Sequence, residues 1–212
     1  MSAIRDNEEK ASIFQGKTIV SLGDSIDRFA TRDLCASLSL NATPIAWHDP
    51  ATPIIPAHFI EEEPIDPGHS THNPIARPMR CHIPHLDLDF ISVFHFGMLT
   101  YQELKEDGNM IAYARHFHPP ADTTARMDHI VIPLMQNLGR KIDLFHFSSY
   151  LWDADHISRQ QGRVNKKLGL KHHPYHPTVS HEAIELYAGR LYSCILELSK
   201  RIDPVVPMIW RT

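Results

Sequence analysis

The stretch Ile19-Val20-Ser21-Leu22-Gly23-Asp24-Ser25-Ile26-Asp27-Arg28 constrains the fold of this chain more than any other. Lys17 to Leu22 is a short apolar run closed by Gly23, which reads as a fully buried strand. From Ser25 to Leu40 the apolar residues Ile26, Phe29, Ala30, Leu34 and Leu38 recur three and four apart, the spacing of a helix. A buried strand feeding a helix through Gly-Asp-Ser belongs to a sheet with helices packed on it. The serine at that turn has two readings. It can be part of a helix cap, where Asp and Ser are favoured. It can also be a nucleophile, because the helix N-terminus sets free amides and a positive dipole end beside its hydroxyl.

The rest of the chain extends this pattern. Ala42 to Trp47 and Leu88 to Phe96 read as strands, the second rich in β-branched and aromatic residues. Between them, residues 48–86 read as an irregular Pro/His-rich insertion loop, with prolines concentrated from Pro44 to Pro84. Ala121 to Leu138 is expected to be helical, kinked or broken at Pro133 and closed by Gly139. Lys141 to Phe147 is a further buried strand, opening into Ser148-Ser149-Tyr150-Leu151-Trp152-Asp153. Residues 154–177 read as polar, with a histidine-rich turn at 172–177. Thr178 or Ser180 then caps an amphipathic helix to about Arg201, and Val205 to Trp210 is a last strand. Apolar strands alternating with helices predict a single α/β domain over residues 1–212, built on a mostly parallel sheet covered on both faces.

Composition narrows the function classes. A formal net charge of −4, with no basic run, gives no electrostatic case for a nucleic-acid partner. No stretch approaches the roughly 20 apolar residues of a membrane span, and residues 1–10 lack the apolar core of a signal peptide. Cys35, Cys81 and Cys194 are too scattered for a disulfide framework, and Cys35 and Cys194 fall in helical patterns. They read as small buried thiols in a reducing, cytoplasmic setting.

In parallel sheets ligands bind at the carboxyl ends of the strands. Gly23-Asp24-Ser25, Gly97 and Ser148 to Asp153 are all such ends, and they are expected to converge on one edge. There a tetrahedral oxyanion could bond the Ser25 amide, the Gly97 amide and a polar side chain of the Ser148–Ser149 turn.

Gly23-Asp24-Ser25-Ile26-Asp27-Arg28, followed by Leu34-Cys35-Ala36-Ser37-Leu38, resembles the opening block of the SGNH (GDSL-type) hydrolases. More narrowly it is similar to the PC-esterase branch, which includes the plant trichome-birefringence-like polysaccharide O-acetyltransferases. Residues 142–153, ending in Leu151-Trp152-Asp153, resemble that branch's strand and tryptophan turn, and residues 208–212 its following strand. The resemblance implies a three-layer, flavodoxin-like α/β/α sandwich with Ser25 as nucleophile of an esterase or O-acyltransferase. Its substrate would be a small ester or an acylated carbohydrate, with no cofactor and no metal. Ser25, Gly97 and Ser148 or Ser149 would form the oxyanion hole, with Asp24, Arg28 and Trp152 around it.

Two departures stand out. The Gly-x-Asn-Asp of the wider group is replaced by Ser149-Tyr150-Leu151-Trp152-Asp153, which removes an asparagine donor. The family's Asp-x-x-His pair follows the strand matched by Val205–Trp210, and the chain ends at Thr212 before any such pair. The chain thus reads as C-terminally incomplete, as degenerate, or as using another histidine. Asp153-Ala154-Asp155-His156 does spell Asp-x-x-His, one helical turn apart, with His156 as base and Asp153 to orient it.

A serine without a base is weakly nucleophilic. The first alternative is therefore a non-catalytic or truncated domain of the same fold. The second is a histidine-rich metal-dependent hydrolase, since nine of the 16 histidines fall in sets at metal-site spacings. These are His69 and His72, His82 and His85 near Asp87 and Asp89, His116 and His118, and His172, His173 and His176. None lies on a clear helix, so surface histidines are the expectation.

Overall fold

Strand β1 (Thr18–Gly23) runs through the middle of a sheet, parallel to β4 (Leu88–Phe94) on one side and β5 (Leu144–Ser148) on the other. That position explains its apolar run, for a central parallel strand is covered on both faces. In this computed structural model, which describes residues 12–46, 49–62, 77–106, 119–169 and 180–211, the sheet has six strands. Beyond β5 lies the parallel strand β6 (Met208–Arg211). Beyond β4 lie β3 (Met79–Ile83) and β2 (Thr43–Pro44), both antiparallel. The order is β2-β3-β4-β1-β5-β6, and the fold is mixed α/β with a mostly parallel sheet.

Helix α1 (Ser25–Ser37) follows β1 directly. Its Cys35 and Leu38 pack with Ile19, Cys81, Ile83 and Leu88 on one face of the sheet. On the other face Val20, Leu22, Phe145 and Phe147 pack against Met127, Ile130, Leu134, Leu191 and Leu198. Those last residues come from helical segments Thr123–Asn137 and from α7 (His181–Ser199), whose N-cap Ser180 accepts from the Ala183 amide at 3.2 Å.

Two expectations need correction. The insertion of residues 48–86 is not irregular throughout: it holds the short helix α2 (Ala57–Glu62) and strand β3. Met79, Cys81 and Ile83 are buried and alternate with Arg80 and His82, the period-2 pattern of a strand. Pro78 and Pro84 bracket that strand rather than interrupt it, and Pro44 sits on the edge strand β2, where a missing N–H is tolerated. Arg80 donates to Asp89 at 2.7 and 2.8 Å, and His82 and Arg140 face the same carboxylate at 3.0 and 3.1 Å. His82 is therefore a partner of Asp89 inside an ion-pair network.

The cysteines are not all free. Cys35 and Cys81 form a disulfide that ties α1 to β3, while Cys194 is a free thiol pushed up to about 12 by burial. The polar residues 154–167 belong to α6 (Tyr150–Lys167), which starts one residue after Ser149.

Helix α4 (Thr123–Arg126) passes through a π-helical turn, Met127–Val131, into α5 (Ile132–Asn137). Pro133 sits in the first turn of α5, directly after the π-helical turn. The backbone stays helical from Thr123 through Pro133 to Asn137, and Gly139 follows the element at φ +63°. Helix α3 (Tyr101–Glu106) precedes this region. Among the described residues no helix is long and apolar enough to cross a membrane.

Candidate active site

Because β1, β4 and β5 are parallel, their carboxyl ends lie along one edge. Gly23 stands opposite Phe94, and the His95 amide donates to the Gly23 carbonyl at 2.9 Å. Asp24 caps α1: its Oδ1 accepts from the Ile26 amide at 2.8 Å, and its own amide donates to Asp27 Oδ2 at 3.1 Å. The pair is a reciprocal capping box. A Cβ on Gly23 would lie 2.1 Å from that Asp27 oxygen, so only glycine lets the box close. Ser25 is the first residue of the helix and half-buried. Its position follows from the cap before it.

Asp27 is the hub of a network that sequence reasoning missed. Arg211 Nη2 donates to both Asp27 oxygens and to Ser148 Oγ, all at 3.0 Å. His146 Nδ1 lies 2.8 Å from Ser21 Oγ and 3.6 Å from Asp27 Oδ1. Burial holds this histidine below its ordinary pKa, partly opposed by the Asp27 charge. Asp27 was readable as the third residue of a capping box. Arg211 was not, because its place opposite Ser148 is a matter of strand register.

The loops after β4 and β5 meet at Asp153. Its Oδ1 accepts from the Met98 amide at 2.8 Å and its Oδ2 from Ser149 Oγ at 2.6 Å. Gly97 has φ +82°, and a Cβ there would sit 2.6 Å from the Asp153 carboxylate. Burial pushes the Asp153 carboxyl up to about 6, against the pull of these two hydrogen bonds. His95 is fully buried, with Nδ1 at 3.1 Å from the Gly97 carbonyl and Nε2 on the Ser148 carbonyl. Burial lowers its pKa, partly opposed by the hydrogen bonds to these two carbonyls. Thr123 Oγ1 also donates to the Gly97 carbonyl, at 3.0 Å.

Gly23, Asp24, Ser25, Gly97, Ser148, Ser149 and Asp153 thus end on one sheet edge. Trp152 packs edge-on against Phe96, with ring centroids 5.3 Å apart. Arg28 is buried, donates to the Arg77 carbonyl at 2.9 Å, and is lowered to about 10 by that burial. His156, half-buried on α6, lines a cavity of about 230 Å³ together with Asp153. Ser25 is not among that cavity's lining residues.

No family model, no curated protein and no solved structure matches the chain. Among the described residues no group of three or more His, Cys, Asp or Glu could hold a metal ion. His69, His72, His116, His118, His172, His173 and His176 lie outside the described residues.

Proposed function

We propose that the chain is a serine esterase or O-acyltransferase of the SGNH type, in the PC-esterase branch, with an α/β/α sandwich fold. One observation carries this reading. Ser25 opens a 13-residue helix at the carboxyl end of the central strand, capped by Asp24, with the loops of two further strands beside that end.

In the reaction, Ser25 Oγ attacks the carbonyl carbon of an ester and its proton passes to a base. The Ser25 and Gly97 amides stabilise the oxyanion. The Ser149 proton is held by Asp153, whereas Ser148 accepts from Arg211 and keeps its own O–H to donate. Collapse releases the alcohol, which takes the proton, and leaves an acyl group on Ser25. Water then regenerates the serine with release of a carboxylic acid, or the hydroxyl of an acceptor such as a carbohydrate takes the acyl group. His156 is the proposed base.

A second reading has support of its own. Both Asp153 oxygens are already on Met98 and Ser149, which favours a fold that keeps the serine without a complete triad. Hydrolysis of p-nitrophenyl acetate separates the two readings. Turnover lost in both Ser25→Ala and His156→Ala supports the enzyme. Turnover that Ser25→Ala leaves unchanged contradicts it. The Cys35–Cys81 bond supports an oxidising compartment rather than the cytoplasmic one expected from free thiols.

A further inference from the structure

We infer that the cavity between α6 and α7 binds a small uncharged apolar group, an aromatic ring or a short alkyl chain. Its volume is about 230 Å³, and its apolar wall is Leu99, Ile157, Val164, Ala183, Leu186 and Tyr187. Leu99 and Asp153 are 2% and 3% exposed, whereas Val164 and Leu186 are 47% and 61% exposed. One end is therefore a buried floor and the other a mouth open to solvent. An apolar cavity of about 150 Å³ is already enough to take up benzene.

The polar residues in the wall decide the charge of the occupant. Arg190 is paired with Glu103. Asp153 holds the Met98 amide and the Ser149 hydroxyl, and Gln161 donates to Asn165 at 3.1 Å. His156 and Gln160 are engaged as well. Glu103 already balances the charge of Arg190, and the Asp153 carboxylate already holds one donor on each oxygen, so an ion gains little from either. A neutral apolar group breaks no ion pair among the described residues and gains contact with the carbon wall. Asp153 also belongs to the strand-end cluster, so an occupant of the cavity touches the residue that holds Gly97 and Ser149 in place.

The test is binding without turnover, in the full chain carrying Ser25→Ala, so it stands apart from the esterase reading. Benzyl alcohol, benzoate and benzylammonium share one ring and differ in charge. Saturation-transfer NMR titration of each is expected to show saturable binding of benzyl alcohol, with both ions at least tenfold weaker. Ala183→Trp fills the cavity and is expected to abolish binding while the thermal unfolding transition stays cooperative. Ile157→Phe serves the same purpose should the tryptophan prevent folding. Binding of either ion within threefold of the alcohol overturns the inference. So does alcohol binding that persists in a folded, filled variant, or the absence of saturable binding by benzyl alcohol.

Discussion

A methyl group on Gly97 would lie 2.6 Å from Oδ1 of Asp153. Asp153 reaches that close because it bonds the next amide, Met98, from a helix that begins after β5. One carboxylate thereby fixes the loops after two strands against each other, and the backbone of Gly97 is bent to φ +82° around it.

Gly97→Ala is expected to cost about 2–4 kcal/mol, from the left-handed backbone and the clash together. Denaturant unfolding of the single variant, of Asp153→Ala and of the double variant measures the coupling. The clash predicts a smaller penalty for Gly97→Ala when Asp153 is already alanine. Equal penalties in both backgrounds would leave backbone strain as the whole cost.

The raised pKa of Asp153 sets a sign for pH dependence. Its folded value of about 6 lies above the ordinary carboxyl value, so the ionised form is the one the fold disfavours. The stability linked to this group is full below about pH 4 and is lost as the pH rises through about 6. The loss is on the order of 3 kcal/mol, with His156 and Arg190 acting from α6 and α7 to moderate it. Asp153→Asn keeps an acceptor for Met98 and can donate to Ser149. It is expected to match the parent at pH 4 and to be more stable at pH 7. Parallel stability curves across that range would sink this account of Asp153.

The Cys35–Cys81 bond closes a loop with a sequence separation of 46, for which chain entropy gives about 4 kcal/mol. Reduction, or Cys35→Ala with Cys81→Ala, is expected to lower stability by about 2–4 kcal/mol. The measurement is the shift of the denaturant midpoint with reductant. Cys194→Ser should respond to reductant as the parent does.

Where burial and spacing spoke alone, the fold was legible. β1, β4 and β5 are apolar runs because they are central and parallel, and α7 shows its apolar stripe and its Ser180 cap. β3 was hidden by the prolines around it and by Arg80 and His82, whose partner Asp89 is brought opposite by strand pairing. The disulfide was hidden with it, since Cys35 meets Cys81 only when β3 joins the sheet. α6 was hidden because Ile157 and Val164 are thin evidence for a helix in a polar segment. At the site, strand ends pointed to Gly23, Ser25, Gly97, Ser148 and Ser149. His95, His146 and Arg211 depend on register, which no local pattern carries. Asp153 was marked by its spacing from His156, yet its oxygens hold Met98 and Ser149.

The central claim is that Ser25 is a nucleophile. Ser25 is half-buried at the start of α1, so Ser25→Ala is expected to change stability by about 0.5 kcal/mol or less. The most direct measurement is mass spectrometry of the folded chain after treatment with a fluorophosphonate. The account expects one adduct, mapped to Ser25, absent from Ser25→Ala and absent after unfolding. A folded chain that stays unmodified, or that carries the adduct on another residue, would contradict it.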